Sequence, residues 1–213
     1  MLDHLVLGTA DLEKGAFWLE RFFGVTLSPV GQHLRMGTHN RLLSLGDACY
    51  LELISIDPHG GSPFMKRWFG LDTVDVQERI VSRPRLLGWV ARTTDIEQLS
   101  EKTGGLLGGI HSMARNDFRW RITIPDDGYP LEAGLIPNLI QWDSPVHPCQ
   151  HLPDQGCRFE WMEAAHPHPA KVLYLLGELG ESEAMKITPT PPYSGMTLCA
   201  YVRTPQGVKT LMS

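Results

Sequence analysis

A histidine and a glutamate near the start of the chain have the residue types needed for metal or acid–base chemistry. His4 lies in the strand-like run 2–8 (LDHLVLG), and Glu52 lies in the strand-like run 50–56 (YLELISI). If both side chains face one pocket, an imidazole and a carboxylate can bind a divalent metal such as Fe, Mn, Ni or Zn. The same two groups can instead serve as catalytic base and acid. His4 and Glu52 are therefore the predicted catalytic residues and the predicted metal ligands.

Two protein ligands alone are too few to hold a metal tightly, so such a site needs a further residue. Asp143 and His147 are the nearest further candidates. The alternative is a metal-free polar pair, because a buried charge is costly unless it has a partner. We expect any metal to be loosely bound. We expect no nucleotide cofactor, because the sequence contains neither a phosphate loop nor a dinucleotide fingerprint.

The segment that must position His4 and Glu52 is predicted to be a strand, a helix and three further strands. Asp11 and Gly24 carry the signals for the start and the end of the helix. The strand-like runs that follow are Thr26–Gln32, Arg41–Gly46 and Cys49–Asp57. A connector follows over residues 58–84, and a short helix is predicted within it at Phe64–Phe69.

The opening motif returns in the second half of the chain. LDHLVLGTADLE at 2–13 aligns with LLGWVARTTDIE at 86–97, an offset of 84 residues. Repetition of a whole supersecondary unit indicates paired structural modules. The second copy continues with strand-like runs at 106–114, 119–124 and 135–143. The predicted fold class is α+β, built from one module at 1–57 and a second at 85–143.

The sequence resembles the vicinal oxygen chelate superfamily, which includes glyoxalase I and extradiol dioxygenases, and especially its uncharacterised glyoxalase-like subgroup. The phrases that carry the resemblance are LDHLVLGTADLEKGAFWLERFFGV, YLELISIDP and LIPNLIQWDSPVHP. Across residues 1–148 the resemblance implies paired βαβββ modules that form a cup-shaped sheet of eight strands. It also implies metal ligands from the first and last strands of each module.

The second module departs from that ligand pattern. The offset of 84 residues places Gly88 at the position of His4, and aligning YLELISIDP with PNLIQWDSP places Asn138 at the position of Glu52. Glycine has no ligating side chain, and a neutral amide is a poor ligand for a transition metal. Half of the implied metal site is therefore absent. This departure argues against a glyoxalase I-type reaction, which depends on the metal.

The second module also supplies the predicted substrate-binding residues, which are Arg119, Trp120, Arg121, Asn138 and Trp142. The two arginines share one face of a strand, and Trp120 lies on the other face. If the arginine face lines the cup, it would hold a carboxylate, an enolate or a phosphate. The alternative is a solvated strand face. The tryptophans would form either a pocket wall or part of the apolar core.

The end of the chain has no recognisable chemical motif. Residues 149–156 are predicted to be a linker, and residues 157–213 have a strand–helix–strand order. This order indicates either a third, shortened copy of the module or a small α+β unit.

Composition bounds the class of protein. The chain has 213 residues and a formal net charge of −5, which argues against nucleic-acid binding. It has no apolar run long enough to cross a bilayer and no signal segment. Its four cysteines lie far apart, as is usual in a reducing compartment. We therefore expect a cytoplasmic protein with a small-molecule partner, and the sequence leaves a homodimer open.

These features predict a glyoxalase-like protein that binds a small organic molecule in a cup. It would be an isomerase, a lyase or a dioxygenase acting on a carbonyl or enol compound. The rival hypothesis is a binding or sequestration protein without turnover, which the loss of a full metal site would permit.

Overall fold

The computed structural model describes residues 1–63, 65–191 and 194–213, and within these ranges it contains two β-sheets and four α-helices. The strands of the larger sheet are β1 (Leu2–Gly8), β2 (Gly31–His33), β3 (Thr38–Ser44), β4 (Tyr50–Ile56), β5 (Arg85–Arg92), β6 (Gly109–Arg115), β7 (Phe118–Ile124) and β8 (Asn138–Trp142). The strands of the smaller sheet are β9 (Arg158–His166), β10 (Lys186–Pro189), β11 (Thr197–Thr204) and β12 (Gly207–Met212). The helices are α1 (Leu12–Phe23), α2 (Val74–Ile80), α3 (Ile96–Lys102) and α4 (Pro169–Glu178).

The larger sheet joins the two modules edge to edge, as the paired-module prediction requires. Its strand order is β2-β3-β4-β1-β5-β8-β7-β6, and β1 runs antiparallel to β5 at the junction. The sheet curves until its two outer hairpins approach each other, where Arg35 Nη1 donates to the Ser112 carbonyl at 2.7 Å. The result is a nearly closed eight-stranded cup, and the α+β fold class is confirmed.

The register between β1 and β5 confirms the offset of the repeat. Leu5 pairs with Trp89, and His4 pairs with Val90. Leu5 and Trp89 are 84 positions apart, so this pair lies on the approximate twofold axis that relates the modules. The same register makes Gly88 the equivalent of His4. It also makes Val90 the equivalent of Val6, whose partner on β4 is Glu52.

The helix signals predicted from the sequence recur in both modules. Asp11 caps α1 by accepting a hydrogen bond from the Lys14 amide at 3.0 Å. Asp95, 84 residues later, caps α3 by accepting from the Gln98 amide at 3.1 Å. Gly24 ends α1 with a φ of 73°, a left-handed conformation that costs glycine little.

Two local predictions differ from the structure. The run Thr26–Gln32 was expected to be a strand, but the strand here is only Gly31–His33. The short helix predicted at Phe64–Phe69 is instead a 3₁₀ turn at Trp68–Gly70, and Phe64 lies outside the described residues. Trp68, Phe69 and Leu71 are buried in the core inside the cup, so packing there accounts for this turn.

The C-terminal unit has the element order of a module but a different strand arrangement. Its strand order is β10-β9-β11-β12, with β9 inside the sheet between β10 and β11. In each module the first strand instead pairs with the last strand. Of the two alternatives drawn from the sequence, the strand order agrees with a separate small α+β unit.

The two faces of the larger sheet are buried in different ways. The outward face forms one continuous core with α1 and the C-terminal unit, in which Leu5 and Trp89 meet Met162 and Leu198. The inward face forms a second core inside the cup. None of the helices is both long and apolar enough to cross a membrane, within the part of the chain that the structure describes.

Candidate functional site

The inward face of the larger sheet encloses a small cavity that widens toward one rim. The inner cavity has a volume of about 30 Å³ and is lined by His4, Glu52 and Trp142, among others. It continues into an outer cleft of about 800 Å³ between the β2–β3 and β6–β7 hairpins. Trp68 and Arg115 line both spaces. Polar groups therefore lie deep in a largely apolar pocket, the usual form of a small-molecule site.

His4 is held at the bottom of the cup by its neighbour Asp3. The imidazole is 4% exposed, and its Nδ1 lies 2.7 Å from Asp3 Oδ1. The ring also stacks on Tyr50, with centroids 4.6 Å apart. Because Nδ1 is used by Asp3, the Nε2 atom is the one that faces the cavity and Glu52.

Asp3 is a fully buried carboxylate that accepts several hydrogen bonds. Its Oδ2 accepts from Trp142 Nε1 at 2.9 Å and from His147 Nε2 at 3.0 Å. The His147 proton lies on Nε2, because the Cys149 amide donates to Nδ1 at 3.3 Å. Burial by itself would raise the pKa of Asp3, but the hydrogen bonds from His147 and His4 lower it well below its ordinary value. Asp3 is therefore ionised and fixes the orientation of His4.

Glu52 faces the same space from β4 and is 6% exposed. Its Oε2 lies 3.8 Å from His4 Nε2, and its Oε1 lies 3.9 Å from His33 Nε2. Asn40 Nδ2 donates to Oε1 at 2.6 Å. The structure therefore brings His4 and Glu52 together in one cup, as predicted, although the distance between them is longer than a hydrogen bond.

His33 is neutral at physiological pH. Burial lowers the pKa of His33 to about 4, and the nearby positive charge of Arg115 acts in the same direction, while Glu52 opposes it. The ring packs edge-on against Trp68, with centroids 5.0 Å apart. His33 therefore contributes a polar but uncharged surface to the cup.

The cup contains an arginine, but it is not one of the two that were predicted to bind substrate. Arg119 and Arg121 point away from the cavity, so their assignment to the pocket wall was wrong. Arg119 donates to the Asn116 carbonyl at 2.7 Å, and Arg121 pairs with Glu97 of α3. The strand places its large apolar residues inward, where they form the inner core. Arg115, at the end of β6, lines the cavity instead.

The other predicted substrate-binding residues lie on the inward face. Trp120 and Trp142 line the cavity, and their ring centroids are 5.5 Å apart. Asn138 pairs with Val90 of β5, which confirms its equivalence to Glu52. However, Asn138 is buried and donates to the Thr123 carbonyl at 2.7 Å. Its amide is thus used in holding β8 to β7.

The residues present do not make the four-ligand metal site that the fold implies. Gly88 offers no donor, and the Asn138 amide is engaged with Thr123. Among the described residues, no three His, Cys, Asp or Glu side chains are arranged to hold a metal ion. His4 and Glu52 remain a pair on one side of the cup.

The family model for the glyoxalase-like domain matches residues 2–180. The chain belongs to the glyoxalase-like domain family. This match confirms the subgroup expected from the sequence, and it extends beyond the paired modules into the C-terminal unit. No curated protein matches the chain.

Solved structures resemble this glyoxalase-like protein at low sequence identity. A hypothetical protein from Staphylococcus aureus is 16% identical with a TM-score of 0.58, and the match covers 99% of this chain and 84% of that one. Methylmalonyl-CoA epimerase from Mycobacterium tuberculosis is also 16% identical, with a TM-score of 0.43 and coverage of 68% and 88% respectively. The Staphylococcus aureus match shows that another protein shares the fold over nearly the whole of this chain.

Three site residues were not singled out by the sequence reasoning. Asp3 lies in β1, where only His4 was singled out, and the partners Trp142 and His147 of its Oδ2 atom are distant in sequence. Asn40 and His33 come from short or weakly patterned strands. The alternation of side chains along β3 and β4 would have placed Asn40 on the face of Glu52, so this residue could have been found.

Proposed function

We propose that this glyoxalase-like protein is an enzyme of the isomerase or lyase class that transfers protons on a small carbonyl or enol compound bound in the cup. The observation that carries the proposal is the 3.8 Å separation of His4 Nε2 and Glu52 Oε2 at the bottom of a buried pocket. An acid and a base that face one enclosed space can act on neighbouring atoms of one substrate.

Glu52 is the base in this proposal. Its Oε2 removes a proton from the carbon next to the carbonyl. The electron pair of the broken C–H bond forms the C=C bond of the enolate, and the C=O π pair moves to the oxygen. Asn40 holds the other carboxylate oxygen at 2.6 Å, which fixes the direction of Oε2. Return of the proton to the same or a different carbon gives isomerisation, and departure of a neighbouring leaving group gives elimination.

His4 is the acid that stabilises the negative charge developing on the substrate oxygen. With Nδ1 donated to Asp3, the Nε2 atom carries a proton only in the imidazolium form. The ionised carboxylate of Asp3 stabilises that cation in the low-dielectric interior. A donor fixed in advance of the reaction in a pocket that excludes water is an effective stabiliser of an enolate.

The test is exchange of substrate hydrogen with deuterated water. A panel of 2-oxo acids, hydroxyketones and aldehydes is first screened by thermal shift, and compounds that raise the melting temperature are then followed by proton NMR. We expect loss of the signal of the hydrogen next to the carbonyl. Glu52→Gln should slow this exchange by about 10²- to 10⁴-fold, the usual contribution of a general base.

Glu97→Gln is the matched control, because it removes an exposed carboxylate outside the cup. It should exchange at the wild-type rate. Dialysis against a chelator should also leave the rate unchanged, because the proposed step uses side chains alone. Equal exchange in wild type and Glu52→Gln would contradict the proposal.

The second candidate function is ligand binding without turnover. It is favoured by the absence of ligating side chains at Gly88 and by the engagement of Asn138 with Thr123. In that case the compounds that raise the melting temperature would bind saturably, and none would exchange hydrogen with solvent.

A further inference from the structure

We propose that Arg115 and Trp68 form an anion subsite where the inner cavity meets the outer cleft, and that the substrate is an organic acid whose carboxylate binds there. This inference rests on the proposed function, because it assigns the substrate class of the same pocket. It differs from the earlier prediction of an arginine clamp in both the residue and the position.

The first observation is the pairing of Arg115. Its Nη1 donates to Asn40 Oδ1 at 2.9 Å and lies 3.5 Å from His33 Nε2. Both partners are uncharged, and no carboxylate of the described residues lies within ion-pair distance of this guanidinium. A half-buried cation in an apolar wall is stabilised by an anion, and a planar guanidinium matches a carboxylate geometrically.

The second observation is an unused hydrogen-bond donor on Trp68, a side chain that lines the same two spaces as Arg115. Trp68 is 4% exposed, and its Nε1 is buried without an acceptor in the structure. Buried polar groups in native proteins nearly always have a partner, so an unpaired indole N–H indicates an acceptor that binds there. Trp68 and Arg115 both line the inner cavity and the outer cleft, and the proposal places one small oxyanion between them at that junction.

The third observation explains why Glu52 does not neutralise Arg115. Asn40 lies between them, donating Nδ2 to Glu52 and accepting from Arg115 with Oδ1. The amide separates the base from the cation and leaves the guanidinium available to a ligand. A substrate carboxylate on Arg115 would then direct the rest of a small acid toward Glu52 and His4.

Binding of matched acids and esters tests this subsite. Pyruvate and methyl pyruvate, and benzoylformate and its methyl ester, are titrated against the whole 213-residue chain while tryptophan fluorescence or heat is measured. We expect each acid to bind about tenfold or more tightly than its ester, as a charge-assisted bidentate contact would give. Arg115→Met should abolish the difference, and Trp68→Phe should weaken the acid about threefold to tenfold.

Two further variants keep the result interpretable. Arg119→Met removes an arginine from the outward face of β7 and should leave the preference for the acid intact. Arg115→Lys retains the charge without the planar fork, so it should keep part of the preference even if Arg115→Met is unstable. Equal binding of acid and ester by the wild type, persistence of the preference in Arg115→Met, or no saturable binding of either acid would each overturn the subsite.

The outcome is separable from that of the proposed function. Glu52→Gln should bind the acids with the same preference while losing hydrogen exchange. A protein that prefers acids through Arg115 but never exchanges hydrogen would retain the subsite and refute the proton-transfer chemistry. A protein that exchanges hydrogen with no preference for acids would refute only the subsite.

Discussion

The two modules share one backbone plan but differ sharply in the chemistry of their inward faces. Strand pairing gives the correspondence, because equivalent strands pair in the same register. The polar residues of the first module and their equivalents in the second are His4 and Gly88, Glu52 and Asn138, Asn40 and Ile122, and His33 and Met113. The first module therefore holds the titratable groups. The second provides an apolar wall and one arginine.

This difference shows which part of the repeat maintains the fold. The modules retain their helix caps and their outward apolar residues, whereas their inward residues have diverged completely at these four positions. Side chains on the inward face can change because the register depends on backbone pairing and on the outward core. Replacing a first-module residue by its second-module equivalent therefore tests function with little change to the architecture.

The largest expected effect is acid destabilisation caused by His33. Its pKa is about 4 when folded and near 6.5 when unfolded, so the unfolded chain binds more protons between these values. The free energy of unfolding should fall as the pH decreases through this window, by about 3 kcal/mol at pH 4. The His33→Met variant, which imports the residue of the second module, should lose this part of the pH dependence. Urea unfolding at a series of pH values measures it. Identical pH profiles in both proteins would contradict the prediction.

The next effect concerns Asn40, which links Glu52 to Arg115. Asn40→Ile imports the equivalent residue and removes hydrogen bonds to two charged groups. We expect the free energy of unfolding to fall by about 1.5–3 kcal/mol. The control is Ile122→Val in the second module, which removes one methylene group and should cost about 1 kcal/mol. If urea unfolding gives equal losses for the two variants, the amide does not have the linking role assigned to it.

A smaller effect is expected at Asp3, which acts on the substrate only through His4. Asp3→Asn preserves the shape but removes the charge that supports the imidazolium. Hydrogen exchange of a bound substrate should slow by about 10- to 100-fold, the equivalent of one charge-assisted hydrogen bond. The pH dependence of the rate should shift as well, which a purely structural role would not produce. An unchanged profile of rate against pH would remove Asp3 from the mechanism.

The smallest effect is expected at Arg121, on the outward face. Arg121→Ala removes an exposed ion pair with Glu97 and a contact with Asp143 at 3.5 Å. Such surface pairs contribute about 0–1 kcal/mol, so the melting temperature should change little. Binding of the acids should be identical to that of the wild type. Weaker acid binding would show that the outward arginines reach the ligand after all.

Much of the architecture could be predicted because the same pattern of strands and helix occurs in two copies, so each copy supports the interpretation of the other. The offset of 84 residues was enough to predict paired modules, and the aspartate caps at Asp11 and Asp95 keep that offset in the structure. Alternation also placed Arg119 and Arg121 on a common face. The alternation did not determine which face of β7 turns toward the cup. One face is apolar, and the arginines on the other face find partners among neighbouring residues, so either face could have been the inward one.

The site itself was only half visible in the sequence. His4 and Glu52 were found because their residue types and strand positions match a family pattern. Asp3 was missed because its role depends on Trp142 and His147, which folding brings to it from the last strand of the second module and from the segment just after that strand. Arg115 was not among the predicted site residues, and only the structure shows that the end of β6 lines the cavity.

The core shared between the outward face of β5 and the C-terminal unit limits how this protein can be divided. Strands β11 and β12 contact β5, and Leu198 and Val202 belong to the same apolar cluster as Trp89. A truncated polypeptide ending near residue 156 would present that cluster to water and would be prone to aggregate. The linker at residues 149–156 therefore divides the sequence but not the folded unit. We expect the segments on its two sides to unfold together and to protect each other from aggregation.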